Sequence, residues 1–241
     1  MKTPREMLTD VRSLLALPRL TVDLMHGETA GNDPFYSRTV REFYRAARKR
    51  HRKFPLIRAM EYGVAVCVLP RSFDDYLMAI EASARRNFKK AQRLGYGFRR
   101  IAYNDFLPDI SAVLRSTDIR QGKVPEQLRR PDMKRCEDPP SRTDIHDYAY
   151  FGVLREGHLY AYAGCLVSGE IAMIEQLYGH VARQPDGIVP MLIMEIARHI
   201  LDCYPRVKYY AYGTYFGAGT TLRRFKTKFA FRPHRIEWTL G

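Results

Sequence analysis

Acids, cysteines and long apolar runs are all scarce in this sequence, and each shortage removes a class of protein. Its 26 Asp and Glu face 40 Lys and Arg, a formal net charge of +14. A balance this basic points to a polyanionic partner: nucleic acid, an anionic membrane surface or a phosphate-bearing cofactor. The four cysteines, Cys67, Cys136, Cys165 and Cys203, lie far apart with no CxxC pair. That disfavours a disulfide framework and a zinc site, no metal is expected, and a cytoplasmic protein is the default. No stretch approaches the roughly 18–20 apolar residues of a membrane span. The greasiest, Ile188 to Leu201, is broken by Pro190, Glu195, Arg198 and His199 and reads as a helix with one wet face. The start, MKTPREMLTDVRSLL, has no apolar h-region, so no secretory signal is expected. There is no GxGxxG and no P-loop lysine to suggest a doubly wound nucleotide fold.

What remains is a core-forming chain. With 46% hydrophobic and 12% aromatic residues over 241 positions, it is not disordered and is long enough for a sizeable core. Its positive charge is clustered. Arg38, Arg41, Arg45, Arg48, Lys49, Arg50, Arg52, Lys53 and Arg58 face only Glu42; Arg85, Arg86, Lys89, Lys90, Arg93, Arg99 and Arg100 have no acid among them; nor do Arg223, Arg224, Lys226, Lys228, Arg232 and Arg235. Each cluster alone reads equally as a solvated helix face, but three together favour anion binding.

Residues 1–53 read as an N-terminal helical arm, with helices over about Pro4–Leu17 and Ser37–His51 and Ser37 as a cap. The run Val64–Leu69 suits a strand covered on both faces. A long helix over about Phe73–Leu94 stops at Gly95, residues 98–102 make a strand, and Phe106–Leu114 an amphipathic helix. Residues 118–146 are polar and rich in Pro, Arg and Asp, a surface insert or plain connection. Three strands follow, Ala149–Leu154, His158–Val167 and Glu170–Gly179, with turn signals at Glu156-Gly157 and Ser168-Gly169. Ile188–Cys203 is helical with Pro190 in its first turn, Val207–Tyr212 a strand, Gly219–Lys228 a helix and Phe229–Leu240 a last strand. A three-stranded meander feeding a crossover helix implies a mixed sheet with helices on both faces.

That order, over about residues 97–241, resembles the GNAT superfamily of N-acyltransferases. Three stretches add to the likeness. The family's cofactor loop, Arg/Gln-x-x-Gly-x-Gly/Ala, is met by Gln184-Pro-Asp-Gly187-Ile-Val189, with Val189 in place of a small residue. The ending YGTYFGAGTTLRRFKTKFAFRP resembles the Fem-type peptidoglycan transferases, with Phe225-Lys226 leading into Phe229 and Phe231 and Ala230 where glycine is usual. Arg85–Gly95 and Asp118-Ile-Arg120-Gln-Gly122 are similar in kind to the opening of the Fem-like catalytic half.

The resemblance implies an α/β fold (α+β mixed) with a GNAT-like central mixed sheet, one acyltransferase domain over 54–241 and its core at 97–241. It implies an N-acyltransferase moving an acyl group from acyl-coenzyme A to a small-molecule or peptide amine by direct attack in a ternary complex. The close alternative takes an aminoacyl group from charged tRNA, as Fem-like enzymes do, which the three basic clusters favour. A third reading is a non-catalytic nucleic-acid-binding protein on the same scaffold. Under the first, Arg183, Gln184, Gly187, Ile188 and Val189 hold the pyrophosphate at a helix N-terminus, with Lys226 nearby. Glu175 is the general base or a salt-bridged rim residue; an unpaired carboxylate in so apolar a strand is costly. His180 passes a proton or is a surface histidine, and Tyr212 or Tyr215 protonates the leaving group or is an ordinary strand aromatic. Asp118 and Arg120 form a substrate-side pair or an exposed ion pair.

Overall fold

The structure, a computed structural model, describes residues 14, 16–28, 33–51, 57–117, 134–137, 139, 142–216 and 218–241. Along the chain these form β1 (Arg19–Asp23), α1 (Pro34–Arg48), β2 (Tyr62–Val68), α2 (Phe73–Ala79), α3 (Ala82–Arg93), β3 (Gly97–Ile101) and α4 (Leu107–Arg115). Then come β4 (His146–Arg155), β5 (His158–Ser168), β6 (Ile171–Gly179), α5 (Ile188–Cys203), β7 (Tyr209–Thr214), α6 (Thr220–Lys228) and β8 (Arg232–Thr239). The expected first helix, Pro4–Leu17, falls almost entirely outside the described residues, as do Asp118, Arg120 and most of the 118–146 insert.

All eight strands join one mixed sheet in the order β1-β8-β2-β7-β6-β5-β4-β3. The expected meander is β4-β5-β6, antiparallel and closed by tight turns, and α5 carries the chain across to β7, which runs parallel to β6. The fold is mixed α/β, a central mixed sheet containing a three-stranded antiparallel meander with helices on both faces, as expected from the sequence. Residues read as an arm contribute to this sheet: β1 pairs parallel with β8 as the edge strand, and α1 buries Tyr36, Val40, Phe43 and Ala47. Asp33, not Ser37, caps α1, its carboxylate accepting the Phe35 N–H at 2.9 Å.

Alternation along the strands divides the core between two faces. On one face α2, α3, α5 and α6 cover Ala65, Cys67, Phe151, Cys165, Ile174 and Tyr210. On the other, α1 packs on Val64, Val66, Ile236 and Trp238, while α4 packs on Ile101, Leu159 and Tyr162. Val64 to Cys67 read as continuously apolar because β2 is covered on both sides. The single helix expected over 73–94 is two. It breaks at Ile80-Glu81, where Arg85 donates to the carbonyls of Leu77 (2.6 Å) and Ile80 (2.7 Å) and the Glu81 N–H donates to Lys228 O (2.9 Å). Long-range partners thus satisfy groups a continuous helix would have paired internally.

One buried polar group fastens the sheet to α5. Asp147 is fully buried and accepts from the Arg100 guanidinium, at 2.8 Å through Nη2, and from the Tyr204 hydroxyl. A carboxylate so placed is tolerated because charged and neutral donors surround it.

Candidate active site

β6 and β7 pair from Ile171–Tyr209 to Ile174–Tyr212, and there the ladder stops; β6 runs on to Gly179 with only β5 beside it. The parting coincides with a bulge. Gly164 of β5 faces Gln176, but Cys165 faces Ile174, so Glu175 is the extra residue. Bulges twist a strand locally and re-aim the side chain they carry. Glu175 accepts a 2.6 Å hydrogen bond from the Tyr148 hydroxyl. The Glu175 side chain is exposed to solvent along one side; the protein around its other side raises its carboxyl above the ordinary range, and the Tyr148 bond pulls the other way. A carboxylate of raised pKa at a strand opening can accept a proton from an ammonium.

Tyr148 begins a chain of rings between the α1 and α4 packing regions. Its centroid lies 5.6 Å from Tyr150, Tyr150 lies 4.6 Å from Tyr103, Tyr103 6.1 Å from Tyr162, and Tyr162 5.4 Å from Tyr178. Asn104 holds the neighbouring Cys136 backbone through both its amide groups at 2.9 Å. This aromatic wall is the sheet surface onto which Glu175 opens.

Beside the end of β7, on the sheet face that α6 covers, lies Lys226. It is 3% exposed, and its ammonium donates to Tyr212 O at 2.6 Å and Thr214 O at 2.8 Å. These carbonyls lie at and beyond the end of the β6 ladder, so the ammonium takes acceptors that a neighbouring strand would otherwise pair. The Tyr212 ring lies 4.5 Å from Nζ. No carboxylate bonds it among the described residues, and desolvation lowers its pKa to about 8. Tyr212 therefore contributes a carbonyl and a ring face here, whereas the Tyr215 hydroxyl sits 3.1 Å from Thr227 Oγ1 on α6.

The predicted phosphate loop heads α5 as expected. Gly187 is the N-cap residue at φ +89°, and Met191 N–H donates to its carbonyl at 2.9 Å. Its surroundings were not legible. A Cβ on Gly187 would lie 2.2 Å from Asn87 O, so the glycine admits the close approach of α3. Lys90 donates to Pro185 O at 2.7 Å and Tyr96 to Asp186 Oδ2 at 2.8 Å, bracing the same loop. Arg183 and Gln184 are exposed, Ile188 is buried, Val189 half-buried. His180 caps the turn before them, its N–H bonded to Tyr160 O at 2.8 Å. Among the described residues no three His, Cys, Asp or Glu side chains converge as metal ligands.

The basic clusters gain a geometry. Arg224 is bonded to Glu81, at 2.9 Å between Nη2 and Oε2, and the Glu81 backbone is bonded to Lys228, so the start of α3 meets the end of α6. The clusters of α3 and α6, more than a hundred residues apart in sequence, become neighbours on one face; that of α1 lies on the other. Tyr148, the partner of Glu175, was missed. Its signal was the alternation in His146–Tyr150, which puts Tyr148 and Tyr150 on one face, but nothing local names Glu175 as its partner 27 residues on.

No family model matches the sequence, and neither does any curated protein. Solved structures of similar chain path include L-PGS of Bacillus licheniformis, at 14% identity and TM-score 0.47, over 71% of this chain and 59% of that one. A tandem GNAT protein from the clavulanic acid biosynthesis pathway is similar at 12% identity and TM-score 0.42, over 73% of this chain and 53% of that one. A GCN5-related N-acetyltransferase-like protein from Streptococcus suis is similar at 13% and 0.36, over 71% and 56%. This chain thus spans less than two thirds of each. No helix among the described residues is long and apolar enough to cross a membrane.

Proposed function

We propose that the protein is an acyltransferase that moves an acyl group to an amine at the opening between β6 and β7, with an aminoacyl-tRNA as donor. The observation that carries the reading is the flanking of that opening: a carboxylate of raised pKa on the β6 bulge and a buried ammonium of lowered pKa on the β7 side. Acyl transfer from an ester needs an acceptor amine relieved of a proton, a stabilised tetrahedral oxyanion and a protonated leaving oxygen. Glu175 takes the ammonium proton, and the amine nitrogen attacks the ester carbonyl. Lys226 offsets the oxyanion charge and passes a proton to the departing ribose oxygen as the C–O bond breaks, and the neutral lysine amine is reprotonated by the second proton that the attacking nitrogen sheds as the amide forms. With a pKa of about 8 it is charged at neutral pH yet a better acid than a surface lysine. The tyrosine wall of Tyr148, Tyr150 and Tyr178 orients the acceptor, and orientation alone supplies a large share of such rate enhancements.

Three observations support this donor. The cations of α3 and α6 adjoin and suit a long polyanion. Lys226 already holds the Tyr212 and Thr214 carbonyls that an extended pantetheine arm in the gap would need. And α3 backs the loop at Gly187. Acyl-coenzyme A remains the second reading, favoured by left-handed Gly187 at the head of α5 with Arg183 and Gln184 exposed beside it. Equilibrium binding of tRNA and of coenzyme A at two salt concentrations separates them. Tight tRNA binding with a steep salt slope supports the first reading; coenzyme A binding without tRNA binding overturns it.

A further inference from the structure

The sheet surface around Glu175 differs in charge from the rest of the molecule. Glu175 is exposed on its bulge, and its hydrogen-bond partner is the Tyr148 hydroxyl at 2.6 Å. No charged side chain among the described residues stands close enough to perturb its carboxyl. In a chain with 40 Lys and Arg this is a local exception. Cations on the same side of the sheet are engaged elsewhere. Arg38 donates to Glu137 at 2.7 Å, Arg41 to His26 Nε2 at 3.0 Å, and Arg99 lies over the Phe106 ring at 5.4 Å. The fields of exposed charges fade over about 8 Å at cellular salt. The groups next to Glu175 therefore set the potential there, not the net charge.

Those groups are rings. Tyr148 and Tyr150 are both half-buried, and alternation along β4 puts them on the face onto which Glu175 opens. Their centroids are 5.6 Å apart and their planes tilted by 56°. Gly164 of β5 stands opposite Tyr150, and a Cβ there would come 3.1 Å from Tyr150 Cε1, so the absent side chain lets that ring lie down over the strand. Elsewhere in the molecule ring faces are taken by arginines, Tyr160 by Arg183 at 5.6 Å and Tyr62 by Arg235 at 4.7 Å. Among the described residues no cation lies over Tyr148 or Tyr150. An aromatic face is the negative part of the ring's quadrupole and attracts an ammonium within about 6 Å. A carboxylate without a counter-charge beside two such faces suits positive charge, and a ligand carboxylate or phosphate would be repelled by all three.

We propose that the acceptor is an alkyl diamine, with the reacting amine at Glu175 and a second ammonium, which keeps its charge, over the Tyr150 ring. This names the acceptor class of the acyl-transfer reading and rests on it. Transfer from aminoacyl-tRNA to 1,4-diaminobutane, n-butylamine and 4-aminobutyrate tests it, with calorimetric titration of the full chain by each amine in parallel. The three are of similar length, and their far ends are positive, neutral and negative. Both kcat/KM and affinity are expected to fall in that order, by about fivefold at the first step, the worth of one cation–π contact. Tyr150→Leu is expected to bring the diamine and butylamine together, and Tyr150→Phe, which keeps the ring, to hold them apart. As a ratio of two acceptors on one protein, this readout does not move with a loss of folded material. A diamine that does not bind or is no better than butylamine, 4-aminobutyrate matching butylamine, or a preference that survives Tyr150→Leu would each overturn the proposal. Absence of transfer to every amine, with the order of affinities intact, would instead remove the acyl-transfer reading and leave the diamine site standing.

Discussion

Lys226 makes a demand on stability that can be read directly. In an unfolded chain its amine titrates near 10.5; in the fold, desolvation brings it to about 8. The unfolded state therefore holds more protons between those values, and stability rises with pH across that window. Below pH 8 both states are protonated and the full burden of the buried charge is present; above 10.5 it is gone. The 2.5-unit gap corresponds to about 3 kcal/mol at 1.36 kcal/mol per unit. Replacing the side chain in Lys226→Met removes the titration but leaves the carbonyls of Tyr212 and Thr214 without their donor, at about 1–3 kcal/mol each. Near pH 7 these effects oppose each other. At pH 11 only the lost bonds remain, so the variant falls behind the wild type by about 3 kcal/mol more than at pH 7. Urea unfolding of both proteins at several pH values measures this, and the difference between them cancels groups titrating alike in both. Parallel stability curves from pH 7 to 11 would refute the account of Lys226 as a buried, carboxylate-free ammonium.

Three further outcomes follow from the packing. Gly187→Ala forces a Cβ towards Asn87 O at a left-handed position, and a loss of about 2 kcal/mol or more is expected in thermal unfolding, with α3 the first element to gain hydrogen exchange. Asp147→Ala strips the buried carboxylate from Arg100 and Tyr204; chemical denaturation is expected to show a loss of about 3–5 kcal/mol. Ala230 sits at φ +63°, so Ala230→Gly relieves backbone strain that the gain in unfolded-state freedom only partly offsets. A small rise in Tm is the expected result, and Ala230→Val should lower it.

The meander and its crossover were legible because each rests on local signals: alternation, tight turns and Pro190 in a helix's first turn. β1 was not. RLTVD has only Leu20 and Val22 to mark a strand, and its partner β8 lies more than two hundred residues away. Nor could local pattern place β2 between β7 and β8, since strand order is decided by long-range pairing. Glu175 stood out because a carboxylate in an apolar strand needs an explanation, and the bulge with Tyr148 supplies one. Lys226 was singled out through the Phe225-Lys226 likeness and assigned to the pyrophosphate side, not to the end of β7. Its burial came from α6 folding over the end of β7, which no charge count reveals. Gly187 was read as the loop before a helix N-terminus, and α5 does start there; its positive φ and the close approach of α3 that it admits had no local signal.

Amine-dependent deacylation of aminoacyl-tRNA, in wild type and Glu175→Gln with tRNA affinity measured in parallel, tests the active-site assignment most directly. Transfer should fall at least about a hundredfold while affinity holds, because the general base is lost and the cationic surface is untouched. Undiminished transfer by Glu175→Gln would contradict the assignment.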